Sequence, residues 1–158
     1  MKSFIHLHNH SDFSLLDSSQ SIKSIVDRAK SLSMDSIALT EKGNLFSMID
    51  FYKYANKNDI KPIIGCEIEL AHNTLSSFAL VLLAKNNTGY LNLMKLVSLS
   101  HINVHHGDPM IDHEALIKYK DGIIALSAGL NGEITHYASS GDYKNAHKAA
   151  LTYKEIFE

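Results

Sequence analysis

An α/β fold with a largely parallel sheet is what this sequence predicts, and two observations predict it. Short apolar runs alternate with segments whose apolar residues recur at helical spacing. Polar residues also fall repeatedly at the C-terminal ends of the predicted strands, at His8 and His10, Thr40 and Glu41, Glu67 and Ser127. In a barrel such ends converge on one rim. The predicted strands are too few to close an eight-stranded barrel, so the sheet is either open or a truncated barrel.

Taken in order, the first element is Phe4 to Ser11, predicted as a strand. Period two then sends His6, His8 and His10 to one face and Ile5 and Leu7 to the other. A polar-apolar loop through Asp12 and Asp17 follows. Ile22, Ile25, Val26, Ala29 and Leu32 make the first helix, with Ser19 or Ser21 as its N-cap. Ser36 to Thr40 is a short apolar strand ending in Glu41-Lys42-Gly43-Asn44, the kind of rim where active-site loops gather. The second helix presents Leu45, Met48, Ile49, Tyr52 and Ala55. Ile60 to Glu69 is a strand with Pro62 near its start, and Phe78 to Ala84 a strand buried on both faces.

Thr88 is the expected cap of a helix over Tyr90 to Leu99, whose apolar positions are Leu91, Met94, Leu96 and Val97. The next stretch gathers His101, His105, His106, Asp108, Asp112 and His113. It lacks regular ligand spacing and contains turn chemistry at Gly107-Asp108-Pro109, so it is predicted as a solvated loop rather than a second metal site. Glu114 to Tyr119 is a short helix and Gly122 to Ser127 another buried-type strand. The last third is helical, over Gly132 to Ser139 and then from an Asp142 cap through Ala146, Ala149, Ala150, Tyr153, Ile156 and Phe157.

Composition sets the limits on function. The chain has 158 residues, 45 % of them hydrophobic, and a formal net charge of −2. That balance suits a single globular domain, or part of one, and lacks the basic excess of a free-standing nucleic-acid binder. Arg28 is the only arginine, so bidentate phosphate or base recognition is scarce. The apolar runs are too short to span a bilayer, and a cytoplasmic location is expected. Cys66 is the only cysteine; it excludes an internal disulfide and is expected to be a buried, inert thiol rather than a nucleophile. The chemistry sits in the histidine segment. Neutral imidazoles on a rigid strand suit zinc, manganese or iron, although two or three of them are a fragment of a site and need further donors. The alternative is a polar strand end whose histidines only hydrogen-bond.

The motif His6-Leu7-His8-Asn9-His10-Ser11, with Leu15-Leu16-Asp17 behind it, resembles the opening of the PHP (polymerase and histidinol phosphatase) domain. The similarity is closest to the branch that opens the alpha chains of bacterial replicative DNA polymerases. It continues through Leu39-Thr40, Gly43 to Phe46, Phe51-Tyr52, Ile60 to Glu67, Leu82 to Leu93 and Gly122 to Ser127, and so covers nearly the whole chain.

The resemblance implies a distorted seven-stranded β/α barrel, of which residues 1–158 are the N-terminal part, with the rest of the barrel and the polymerase core beyond Glu158. In metal-binding members the positions matching His8, His10, Asp17 and Glu67 are ligands, for zinc or manganese. Two departures make the site degenerate. A ligand histidine of the family's Thr-Asp-His-Gly-Asn is Lys42 here, and a histidine expected before the Leu-Leu-Ala run is Ala79. Lys42 is expected either to replace a metal, by putting its ammonium among the carboxylates, or to face solvent. The function implied is a structural and subunit-docking PHP portion, not itself catalytic, of a DNA-directed DNA polymerase, a nucleotidyltransferase of DNA replication. Its partners would be the remainder of the alpha chain, the proofreading exonuclease subunit, and DNA through the parent chain, with no membrane. No cofactor is expected in these residues, and magnesium would serve the absent polymerase core. The alternatives are an active metal-dependent phosphoesterase or 3′–5′ exonuclease, and an autonomous enzyme like histidinol phosphatase.

Overall fold

The structure, a computed structural model, describes residues 4–73, 76–102 and 109–158. Its elements are α1 (Ile22–Ser31), β1 (Ser36–Lys42), α2 (Met48–Lys57), β2 (Lys61–Asn73), β3 (Ser76–Ala84), α3 (Asn87–Ile102), α4 (His113–Lys118), β4 (Ile123–Ser127), a 3-10 turn (Gly129–Asn131), α5 (Glu133–Ser139) and α6 (Tyr143–Phe157). This is a mixed α/β fold with one four-stranded sheet in the order β1-β2-β3-β4. The chain divides into two compact units, 1–66 and 67–158.

In the first unit, α1 and α2 pack on β1. Ile25, Val26 and Ala29 of α1 meet Ile37 and Leu39 of β1 and Met48, Phe51 and Ala55 of α2, closed by Ile60. Ser21 is the N-cap of α1, accepting from Ser24 N at 3.1 Å. Replacing Ser21 by alanine is expected to cost about 1 kcal/mol in urea-induced unfolding, since one helix-end donor loses its partner. On α2 the buried stripe is Met48, Phe51 and Ala55, while Ile49 and Tyr52, expected in the core, are 57 % and 53 % exposed. The three- and four-residue spacing permits either stripe, and Phe51, with no hydroxyl to satisfy, takes the buried one.

The histidine segment is not a strand. Ala38 N donates to His6 O at 3.0 Å and Thr40 N to Asn9 O at 2.8 Å, so two residues along β1 match three along this segment. The mismatch is absorbed by side chains. Asn9 Nδ2 donates to Ala38 O at 3.0 Å, and the Thr40 hydroxyl accepts from Asn9 N and donates to Asn9 O, each at 3.0 Å. Side-chain bonds replace ladder bonds, and period two is broken between His6 and His8.

The second unit holds β3 and β4. β3 and β4 are antiparallel, with Leu82 opposite Ala125. The expected largely parallel sheet is corrected at β3 and β4, which pair antiparallel although α3 and α4 lie between them in the chain. β4 is also not a doubly buried strand: Ile124 is largely exposed, as suits the end of the sheet order. β3 does carry the expected buried run from Ala79 to Leu83.

Helix α3 begins earlier than predicted and is capped by Asn86, whose Oδ1 accepts from Gly89 N at 3.0 Å, not by Thr88. Its buried face is Gly89, Asn92, Leu93, Leu96 and Ser100, while Leu91 is exposed. The small and polar members of that face have a reason. Gly89 lies directly against the Gly122 backbone, and Asn92 Nδ2 donates to Asp121 O at 2.9 Å. In the polar stretch after α3, His105, His106 and Asp108 lie outside the described residues; Asp112 caps α4 by accepting from Ala115 N at 2.7 Å. α5 and α6 pack together, tied by the Tyr153 hydroxyl donating to Glu133 Oε2 at 2.7 Å.

A histidine pocket and a buried carboxylate cradle

The first unit places His8, Asn9, His10, Asp17, Ser18 and Gln20 around an open polar pocket of about 310 Å³. The His8 and His10 rings meet edge to face with centroids 5.1 Å apart. His10 Nδ1 is bonded to the Asp17 carboxylate, with His10 mostly buried and Asp17 partly exposed. A carboxylate on one ring nitrogen fixes the orientation of an imidazole and sets its tautomer. The bend at Ser14 to Asp17 makes this contact possible: Asp17 N and Ser18 N donate to Ser14 O, and the Ser18 hydroxyl donates to His10 O at 2.9 Å.

His6, the third histidine of the motif, is set apart. Its ring packs against Phe4 at 4.8 Å, and it borders a different recess with Asn9, Arg28 and Ile37. The break in period two noted above is what separates it from His8 and His10.

The loop carrying Asp17 is held by a residue that the sequence marked only as a polar strand end. Glu41, 0 % exposed, accepts at Oε1 from the hydroxyls of Ser11 and Ser47, and at Oε2 from the hydroxyl of Ser14 and from Ser11 N. Four donors fill the four lone-pair sites of the carboxylate. The Ser14 hydroxyl accepts in turn from Lys42 N at 3.0 Å. Ser11 and Ser14 belong to the loop, Glu41 to β1 and Ser47 to the start of α2, so one buried group joins three pieces of chain. The available signal was a serine at each place where the chain returns to the end of β1.

Lys42 is exposed and borders a second recess, about 560 Å³, with Asp12, Phe13, Ser14, Leu15, Asn44 and Phe46. Cys66 is fully buried, its Sγ 3.1 Å from Glu41 O and 3.4 Å from Asn44 O. It is a packed thiol that ties the two turns of backbone together, as expected. Glu67 is 4 % exposed on β2, and Ala79 is buried on β3. The donor types in the histidine pocket, two imidazoles and a carboxylate, suit zinc or manganese. The Asp17 carboxylate is engaged by His10. Among the described residues, no helix is long and apolar enough to cross a membrane.

The family model described as PHP domain matches residues 6–158. DNA polymerase III subunit alpha of Borreliella burgdorferi is 43 % identical over 98 % of this chain, and that of Helicobacter pylori strain 26695 is 40 % identical over 99 %. The corresponding protein of Aquifex aeolicus is 38 % identical over 99 %. This chain spans only about 14–15 % of the length of these relatives. Two solved structures share the fold. A candidate metal-dependent phosphoesterase from Bifidobacterium adolescentis has a TM-score of 0.51 at 13 % identity, covering 65 % of this chain and 34 % of that one. An amidohydrolase from Chromobacterium violaceum has a TM-score of 0.50 at 21 % identity, covering 61 % of this chain and 33 % of that one.

Proposed function

The chain belongs to the PHP domain family, and from that premise we propose that it serves as the PHP portion of a bacterial replicative DNA polymerase alpha chain. The observation that carries this reading is the 43 % identity to a DNA polymerase III alpha subunit over 98 % of the chain. In this reading DNA synthesis, its magnesium and its catalytic carboxylates belong to a longer polypeptide, and the four-stranded sheet is the first part of a distorted seven-stranded β/α barrel. Residues 1–158 support that polypeptide and contribute to docking other subunits, the proofreading exonuclease among them. The whole works in the cytoplasm.

The metal site is proposed to be vestigial. His8, His10, Asp17 and Glu67 are the positions where a zinc or manganese ion would be held, and such an ion would supply a polarised water and a clamp for phosphate oxygens. The chain's own residues are better suited to holding one another. Asp17 orients His10, and the Glu41 cradle holds the loop that carries Asp17. Lys42, standing where a ligand histidine is expected, cannot coordinate while protonated, and its ammonium supplies positive charge near the loop instead.

Titration calorimetry with zinc or manganese tests this part. The expected result is no stoichiometric binding by the wild-type chain, and measurable affinity after Lys42→His with little change in stability. Stoichiometric binding by the wild type would overturn the vestigial reading and favour a metal-dependent phosphoesterase or exonuclease. Primer extension tests the wider reading: the purified 158-residue chain is expected to extend no primer and to bind DNA weakly, with affinity falling as salt rises.

A further inference from the structure

Far from the histidine motif in sequence, the second unit builds another polar recess that the reading above does not use. A parallel bridge pairs Leu70 near the end of β2 with Ile111, through Ala71 N to Ile111 O at 2.8 Å and Ile111 N to Glu69 O at 2.9 Å. That bridge brings His72, one residue past Ala71, to the same recess as His113, two past Ile111. Helix α6 adds Asn145 and Lys148, three residues apart and so on one face, and α5 adds Glu133 and Tyr137. The enclosed space is about 160 Å³.

Several of the groups lining it can donate to an anion. Lys148 is an exposed ammonium on the rim. His72 and His113 present imidazoles that gain donors on protonation, and the Tyr137 hydroxyl lies 3.5 Å from His72 Nε2. Glu133 also lines the recess and brings one carboxylate to it, opposite the Lys148 ammonium, and Asp142 lies nearby. Glu133 Oε2 accepts from the Tyr153 hydroxyl, and Asp142 accepts from Asn145 N at 3.1 Å and Nδ2 at 2.7 Å. Burial, and then the bond to Glu133, push the Tyr153 phenol far above its ordinary value, so it stays a donor. Behind the recess, Phe78 packs against His72 at 4.9 Å and against His136 at 5.2 Å, giving the His72 ring a fixed apolar backing.

We propose that this recess binds a phosphate group, held by Lys148, His72, His113 and the Tyr137 hydroxyl. The space is below the range of pockets that enclose whole drug-sized molecules, so it takes a tetrahedral oxyanion or the terminal phosphate of a larger ligand. A single lysine acts here as a point charge, and the imidazoles and phenol add directional donors around it. The site is separate from the histidine pocket of the first unit, and it does not depend on the metal content of that pocket.

The test is a site-resolved titration of the 158-residue chain, following the imidazole resonances of His72 and His113 at constant ionic strength. Inorganic phosphate is expected to shift both rings saturably, and chloride is not. Lys148→Met, an exposed position whose loss leaves the fold intact, is expected to weaken phosphate binding by about tenfold, the loss of one charge-assisted bond. A short oligodeoxynucleotide with and without a 5′-phosphate separates the sources. Saturable shifts with the phosphorylated strand alone identify a nucleic-acid end as the ligand; shifts with inorganic phosphate alone identify the free anion. The proposal is overturned if neither ring responds to either probe, or if Lys148→Met binds phosphate as the wild type does.

Discussion

Gly122→Ala is expected to destabilise the chain by roughly 2–5 kcal/mol, the sum of a left-handed backbone penalty and an overpacking penalty. Gly122 has a φ of +74°, which costs an alanine about 1–2 kcal/mol by itself. A Cβ there would also stand 2.6 Å from Gly89 N and 2.5 Å from Asn86 Oδ1, the atom that caps α3. Gly89→Ala is expected to be as severe, because a Cβ on Gly89 would lie 1.8 Å from Gly122 O. Neither contact can be relieved by turning a flexible side chain alone, since backbone meets backbone. Both glycines are needed for α3 to start against the turn that leads into β4, where Lys85 N also donates to Gly122 O at 2.8 Å.

Gly141 provides the control. It has a similar φ of +80°, but nothing lies within 4 Å of its missing Cβ. Gly141→Ala is therefore expected to cost only the backbone term, about 1–2 kcal/mol. Urea denaturation of the three variants decides the matter. If Gly122→Ala costs no more than Gly141→Ala, the close approach of the two backbones is not a constraint on stability.

Helices were the most legible part of the chain because their signals are local. Ser21 and Asp142 cap α1 and α6 as their sequence positions suggest, and the spacing of Ala146, Ala149 and Ile156 marks the buried side of α6. What sequence could not decide was which of two adjacent stripes is buried. On α2 the choice of Phe51 over Tyr52 depends on what β1 presents to it, and that is a tertiary fact. The direction of β4 was misread for a related reason. Apolar strands separated by a helical segment suggest a crossover, yet the chain returns antiparallel beside β3. In the histidine segment the alternation was real in the sequence but not in the backbone, because Asn9 and Thr40 exchange side-chain bonds where a ladder would otherwise run. The pairing of His10 with Asp17 was legible only as a shared motif, and the cradle beside it only as serines with no pattern of their own. Serines at positions 11, 14 and 47 carry no periodic signal; their meaning appears when three segments meet at Glu41.

Removing that carboxylate is expected to be the most damaging polar substitution in the first unit. Glu41→Ala strands Ser11 N and the hydroxyls of Ser11, Ser14 and Ser47 in a site with no access to water, and leaves a cavity besides. Each buried donor left without an acceptor costs about 1–3 kcal/mol, although hydroxyls can recover part of this by bonding one another. The expected total is about 3–5 kcal/mol, comparable to breaking a buried charged pair. Glu41→Gln keeps the shape and one oxygen, and the seryl hydroxyls can turn to accept from its amide, so it is expected to cost only about 1–2 kcal/mol. The pair of variants distinguishes a polar network from simple packing, for which both would depend on volume alone. The consequence reaches beyond stability, because Ser11 and Ser14 hold the loop on which Asp17 sits. In Glu41→Ala protein that still folds at low temperature, the His10 ring resonances are expected to move toward those of an Asp17→Ala variant, while the His72 and His113 resonances stay in place. Unchanged His10 signals would mean that the loop keeps its position without the cradle, and that Asp17 finds His10 by local turn geometry alone.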